Sequence, residues 1–452
     1  MLNQINPQAG AVDVGSESLH VAVSNGPTRV FKTFTSELYQ VVKFFQEHGV
    51  QSVAMEATGV YWISLYEVLE EAGLKLYVVN GAHVKNLPGR KSDMSDCQWL
   101  AELHAHGLLR SGFVPPEPIR RLRDYQRLRQ DHIQMGSAHI LHMQKALDRM
   151  NLKIHEVLSQ VVGQSGLRMI RAILRGEREP EKLVELCDCQ ILSAKRERMV
   201  EALKGFWHPE QLFALGQALE GWEFYQKQMA ACDQQIAELM EQISDGQAPQ
   251  PGGPLPPCPP RVSTGGKSSG KPIRHNAPLI ADLHQKMIRF CRGHDLEQLP
   301  SMTDYSALQI VAEVGTDMSP WPTDKHFVAW LGLAPASRVS GKSRRREKRF
   351  RGRAGRLFCL AARSLARSKY LALGGFYRRI RATRGAQVAN IAAARKLAQL
   401  FYWTLKHGFT YVEEGLQAYE AKYRAQSIKK LKAVARHFGL SVISAESTPP
   451  AP

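Results

Sequence analysis

Four carboxylates within the first hundred residues carry the chemistry open to this sequence: Asp13, Glu56, Asp93 and Asp96. Asp13 sits in the apolar run Ala11-Val12-Asp13-Val14-Gly15, which reads as a buried strand, where an ionised group is expensive unless something binds it. Glu56 closes a second such run, Ser52-Val53-Ala54-Met55-Glu56, just before Thr58-Gly59. Asp93 and Asp96 lie three apart at the expected start of a helix and share one of its faces. Oxygen ligands arriving from three segments suit a hard cation such as Mg²⁺, with Mn²⁺ as a substitute. A two-metal site of this kind would clamp both the attacking and the leaving oxygens of a phosphate. Each acid also has an ordinary reading. A helix-start carboxylate complements the helix dipole, and a strand glutamate beside a turn is commonly solvated. Asp13 faces away from Val12 and Val14, toward either solvent or a site.

The elements that must position these acids follow from the hydrophobic pattern. Ala11–Gly15, Leu19–Ser24 and Arg29–Phe34 read as three consecutive strands, the first two joined by a tight turn at Ser16–Ser18. Glu37–His48 reads as an amphipathic helix, Val53–Glu56 as a strand, Tyr61–Ala72 as a helix and Leu74–Val79 as a strand. Three strands followed by alternating helix and strand make an α/β layout with a mixed sheet. That is also the ribonuclease-H-like order, in which acids come from the first strand, the fourth strand and a later helix.

Charge narrows the partner. The 452 residues carry a net charge of +18, unevenly spread. Residues 1–117 hold 8 Lys/Arg against 12 Asp/Glu, and the remainder holds 52 against 30. An acidic head on a strongly basic body suits an enzyme that collects a divalent cation at one end and phosphate backbone at the other. A basic membrane-surface protein is the competing class. No stretch approaches the ~20 apolar residues of a spanning helix, and no signal peptide is read at the start. Seven scattered cysteines, with Cys187 and Cys189 the only close pair, read as reduced cytosolic thiols rather than a zinc site.

The rest of the chain divides by composition. Pro118 is placed to open a long helix, since Leu122, Tyr125, Leu128, His132 and Met135 recur at helical steps. Phe224–Ile243 repeats the pattern, so residues 118–244 read as long antiparallel helices, partly coiled coil. Arg120, Arg121, Arg123, Arg127 and Arg129 would suit a nucleic-acid track, though such a run is also what a solvated face looks like. Residues 245–277 begin with a Pro-, Gly- and Ser-rich stretch without aromatics and read as a linker. Residues 278–425 read as a mainly helical domain, with helices over Leu279–Phe290, Tyr305–Val314, Phe327–Leu331 and most of 356–408, and 426–452 as a tail.

Within that last domain lies a dense basic segment. Arg338, Lys342, Arg344, Arg345, Arg346, Lys348, Arg349, Arg351, Arg353 and Arg356 face a single acid, Glu347. Bundled guanidinium groups make bidentate contacts with phosphate, whereas a solvated basic arm would have the same composition. Ser340-Gly341 is, by its residues alone, a turn dipeptide with no histidine close by to take a proton.

Met55-Glu56-Ala57-Thr58-Gly59-Val60-Tyr61-Trp62, followed by Val78 to Asp96 with its Pro88-Gly89-Arg90-Lys91-Ser92-Asp93 core, resembles the DEDD transposases of the insertion-sequence one-ten family. So do Gly107–Arg110, Val114-Pro115, Arg120–Leu122 and, after the linker, Phe327–Pro335 with Ser340-Gly341. The resemblance implies a resolvase-like N-terminal nuclease domain whose four acids match Asp13, Glu56, Asp93 and Asp96. It also implies a C-terminal transposase domain whose nucleophilic serine matches Ser340. Members are similar in recombining donor and target DNA under the guidance of a structured non-coding RNA, as dimers and tetramers in which subunits complete one another's sites. One departure stands out: where the family often has a Pro-Gly-Val/Ile-Gly hairpin turn, this chain has Pro300-Ser301-Met302-Thr303-Asp304. A transposase of the cytoplasm acting at the nucleoid is expected. The alternatives are a two-metal junction nuclease in which Ser340 only shapes a turn, and a non-catalytic nucleic-acid scaffold. The basic residues around Ser340, with Arg120, Arg123, Arg127 and the stretch near Arg378–Arg384, are the candidate nucleic-acid surfaces.

Overall fold

The computed structural model describes residues 4–57, 59–79, 93–245, 276–335, 338–340, 343–345, 351–409 and 414–442. They divide into two compact units, Met1–Val114 and Pro115–Pro452.

The first unit is built on a five-stranded mixed sheet. Its strands are β1 (Ala9–Val14), β2 (Ser18–Val23), β3 (Thr28–Lys32), β4 (Ser52–Glu56) and β5 (Lys75–Val79), in the spatial order β3-β2-β1-β4-β5. β1, β2 and β3 form an antiparallel meander, while β4 and β5 run parallel to β1. Helices α1 (Thr35–Glu47) and α2 (Trp62–Glu71) lie in the connections, and α3 (Asp93–Ala105) follows β5. Strand alternation sends Val12, Val14, Val21, Val53 and Met55 to one face, where they pack with Leu38, Val41, Phe45, Leu65 and Leu69. The other face carries Ala11, Ala22 and Ala54, which lie side by side on three adjacent strands. These small side chains form a shallow bed on which Cys97, Leu100 and Ala101 of α3 rest.

The second unit is helical. α4 (Glu117–Arg149) opens with Pro118 in its first turn, where a missing N–H costs nothing. It pairs with α9 (Pro209–Asp245). Tyr125 reaches Gln235, Arg129 reaches Asp233, and the His139 ring lies over Gly221, so the two helices are antiparallel. A Cβ at Gly221 would lie 2.3 Å from the His139 ring, so a larger residue there would displace the ring. Between them, α5 (Ile154–Val157), α6 (Gln164–Leu174), α7 (Pro180–Glu185) and α8 (Cys189–Ala202) close a core of Leu147, Met150, Ile170, Ile173, Met199 and Leu219.

Beyond residue 276 come α10 (Leu283–Phe290), α11 (Asp304–Val314) and α12 (Asp324–Trp330). A short ribbon of β6 (Arg338–Ser340) and β7 (Ser343–Arg345) follows, then α13 (Arg353–Ser364), α14 (Ala372–Arg384), α15 (Ala386–His407) and α16 (Gly415–His437). Phe327 centres this part, within 6.3 Å of the Trp321, Phe358, Phe401 and Tyr402 rings. In the Pro300–Asp304 segment Ser301 takes a left-handed φ of 64°, and Thr303 caps α11 through a capping box with Ser306. Two helices extend beyond the segments their sequence periodicity marks. α9 starts fifteen residues before Phe224, and α16 is continuous from 415 to 437. Of the linker read at 245–277, Asp245 ends α9 and residues 246–275 lie outside the described residues. Among the described residues no helix is long and apolar enough to cross a membrane.

Candidate active site

Register and parity place the acids. Val12 of β1 pairs with Met55 of β4, so the next residues along these parallel strands, Asp13 and Glu56, are neighbours at the carboxyl ends of both. Each lies two residues beyond an alanine of the α3 bed, Ala11 or Ala54, so both belong to the face that α3 covers. Asp13 and Glu56 are half-buried, and both take part in polar or charged interactions.

α3 runs against the direction of those strands. Near its start, the Cys97 thiol donates to the carbonyls of His20 at 2.8 Å and Ala11 at 3.4 Å. Near its end, His104 Nε2 meets Ser52 Oγ at 3.0 Å, at the beginning of β4, and the ring packs on Tyr77 at 4.5 Å. The first turn of α3, holding Asp93 and Asp96, therefore opens at the same edge of the sheet as Asp13 and Glu56. Asp96 is exposed, and the Asp93 side chain lies outside the described residues. Burial pushes the Cys97 thiol up to about 12, with the Asp13 charge adding to the effect. Cys97 therefore stays protonated, and the donors on offer at this edge are carboxylate oxygens, the set that suits Mg²⁺ or Mn²⁺.

His20 was not singled out in the sequence. It sits directly across from Asp13 in the β1–β2 ladder, and its parity with Ala22 puts it on the same face. The signal was present in the alternation Ser18-Leu19-His20-Val21-Ala22, but only the pairing register brings it to the acids.

The basic candidates divide. Ser340 ends β6 and pairs with Ser343 of β7, and Arg338 pairs with Arg345 and Val339 with Arg344. The side chains of these ribbon residues lie outside the described residues, as do Lys342, Arg346, Lys348 and Arg349 entirely. Arg351 and Arg353 lead into α13. On α4, Arg120 Nη1 donates to the Pro115 carbonyl at 3.1 Å. Arg123 donates to the Ala312 and Glu313 carbonyls, and Arg127 grips the Glu313 carboxylate with two bonds of 3.0 and 2.8 Å. These two arginines tie α4 to the end of α11, although Arg127 keeps part of its surface open. Arg129, which the sequence suggested for a basic track, is instead buried in an ion pair with Asp233.

A second cluster escaped sequence reading altogether. His284, Glu297 and Asp304 each bring one potential ligand atom within 4.8 Å of the others. His284 Nδ1 lies 2.9 Å from Asp304 and 3.3 Å from Glu297, and Nε2 lies 3.8 Å from Asp295. Burial works against a charged imidazole here, but the three carboxylates outweigh it and hold the pKa above the ordinary histidine value. The cluster is self-compensating as an imidazolium, and as a neutral imidazole with carboxylates it could bind a divalent cation. No motif spacing announces it.

Two family models match the chain. Residues 11–152 match the DEDD transposase model of IS110 elements, and residues 293–378 match the model described as transposase IS116/IS110/IS902 family. The first spans the acidic edge and the whole of α4. The second spans the segment from the His284 cluster's neighbourhood through Ser340 to α14. No curated protein matches the chain.

Proposed function

The chain belongs to the IS110 family of insertion-sequence transposases and is a DNA transposase; from that premise we propose how its residues divide the cutting and rejoining of strands. Asp13, Glu56, Asp93 and Asp96 hold the divalent cation. The observation that carries this is the convergence of β1, β4 and the start of α3 on one edge of one sheet face, with oxygen donors from each. A bound Mg²⁺ supplies polarisation of the scissile phosphate and stabilises the charge that develops on it.

Ser340 is the nucleophile. Its Oγ loses a proton and bonds to phosphorus, and the bond from phosphorus to the 3′ oxygen breaks. That oxygen takes up a proton and leaves as a 3′-hydroxyl. The phosphoserine ester conserves the phosphodiester, so rejoining needs no ATP. Arg338, Lys342, Arg344, Arg345, Arg346, Lys348 and Arg349 surround Ser340 in the chain and neutralise phosphate there. A structured guide RNA pairs with donor and target DNA, and the chain works as a dimer or tetramer in the cytoplasm, at the nucleoid. The α4–α9 pair serves as its helical, coiled-coil-like arm, and the acid-bearing unit is of the ribonuclease-H-like kind.

The test is denaturing electrophoresis of purified protein with its element-end RNA, Mg²⁺ and labelled target DNA, comparing wild type with Ser340→Ala and Asp13→Asn. A labelled band at protein mass that vanishes in Ser340→Ala is the expected result, with Asp13→Asn binding DNA but failing to cut it. Equal cleavage by wild type and Ser340→Ala, without any such band, would leave a metal-dependent junction nuclease. Wild-type cleavage by Asp13→Asn would remove the acids from the mechanism.

A further inference from the structure

A groove of about 590 Å³ in the helical unit is lined by two kinds of polar side chain. One set is cationic: Arg127 from α4, Arg351, and Arg353, Arg356 and Arg363 from α13. The other is amide: Gln126 and Gln130 from α4, Gln309 from α11 and Asn390 from α15. Glu313 is the acid of the groove, and it is already shared by Arg123 and Arg127, with Arg353 at 3.9 Å. The groove is strongly positive.

Gln126 gives the groove its meaning. Its side chain is only 7% exposed, yet among the described residues neither Nε2 nor Oε1 has a hydrogen-bond partner. The Asn390 Oδ1 atom is likewise buried without one. Gln309, by contrast, donates to Gln130 at 3.4 Å. Leaving a buried donor and acceptor unmade is costly, and a ligand that pairs with both recovers that cost. An amide presents a donor beside an acceptor, which is the pattern that pairs bidentately with a base edge. The flanking guanidinium groups match phosphates, and Leu357 and Leu360 supply an apolar wall.

We propose that this groove seats an unpaired nucleotide of a single strand, its base edge on Gln126 and Asn390 and its flanking phosphates on Arg351, Arg356 and Arg363. A duplex keeps its base edges paired and cannot offer them to a buried amide, so the groove selects single-stranded over double-stranded nucleic acid. This deepens the transposase reading, since a strand exchange guided by base pairing leaves unpaired nucleotides, but it concerns binding and is separable from cleavage.

The experiment measures binding of the full-length protein, in EDTA so that no strand is cut, to fluorescent single-stranded RNA, single-stranded DNA and duplex DNA. Wild type is compared with Gln126→Met, Asn390→Leu and Arg356→Gln. Gln126→Met keeps the volume and removes the unpaired polar atoms. It should therefore raise the melting temperature of the ligand-free protein while weakening single-strand binding about tenfold or more, the discrimination expected of a bidentate pair. Duplex binding should be unchanged. Arg356→Gln should weaken binding to all sequences and make the salt dependence shallower by about one phosphate. The RNA and DNA arms tell which strand occupies the groove. Single-strand affinity within twofold of wild type in both Gln126→Met and Asn390→Leu would overturn the proposal, as would an equal loss on duplex. Because no cleavage is read, that failure leaves the roles of Asp13 and Ser340 untouched.

Discussion

Replacing Asp233 with leucine tests the packing argument that holds the helical unit together. Arg129 and Asp233 come from α4 and α9, are 104 residues apart, and meet at 2.5 Å with each side chain only 2% exposed. Arg129 also donates to the Tyr305 hydroxyl at 2.8 Å and the Asn276 carbonyl at 3.1 Å, and Asp233 accepts the Leu279 N–H at 2.9 Å. This one pair thus joins the helical hairpin to the chain that enters α10 and α11. Asp233→Leu strands a guanidinium where water cannot reach it, which costs about 3–5 kcal/mol. It also orphans the Leu279 N–H, for about 1 kcal/mol more. The double variant Arg129→Met, Asp233→Leu removes both ions and their desolvation together, so its loss should fall to about 1–2 kcal/mol. The assay is urea unfolding of the four members of the cycle, with amide exchange on α4 and α9 to assign the transition to the helical unit. A loss under 1 kcal/mol in Asp233→Leu would refute the reasoning, and so would a double variant as unstable as the sum of the singles.

Two further perturbations follow from local geometry. His104 is buried against Tyr77 and Ser52, and burial, with the Lys75 charge, lowers its pKa to about 4. Between its unfolded value near 6.5 and about 4 the unfolded chain binds a proton that the folded one refuses, so stability is full above pH 6.5 and falls as pH drops through that window. The first unit should lose roughly 3 kcal/mol by pH 4, and His104→Gln should flatten the profile of denaturation midpoint against pH; an unchanged profile would contradict the assignment. At Gly355 a Cβ would lie 2.1 Å from the Leu331 carbonyl oxygen, so Gly355→Ala must push α13 off the end of α12. It should cost about 3 kcal/mol by thermal melting, whereas Gly216→Ala, in ordinary contact with Leu174 at 3.7 Å, should be neutral or gain up to about 1 kcal/mol.

The sequence by itself determined the elements and their order in the first unit. Alternation set five strands and the helices between them, because a half-buried strand and an amphipathic helix each write their period into neighbouring residues. It also marked Asp13 and Glu56, since charge inside or at the end of an apolar run is locally conspicuous, and Asp93 and Asp96 by their spacing at a helix start, and it marked Pro118 as the start of α4. Pairing was another matter. That Asp13 and Glu56 are neighbours, with His20 across from one of them, depends on register between strands, which no local period encodes. Arg129 is indistinguishable in sequence from Arg123 and Arg127, because a helix face is known only once its partner is known. Asp233, 104 residues on, decides that it is core. The unpaired amide of Gln126 and the convergence of His284, Glu297 and Asp304 are likewise products of which helices pack together. Burial and the lack of a partner are properties of the assembled chain, created by residues far apart in sequence, and only the tertiary structure could decide them.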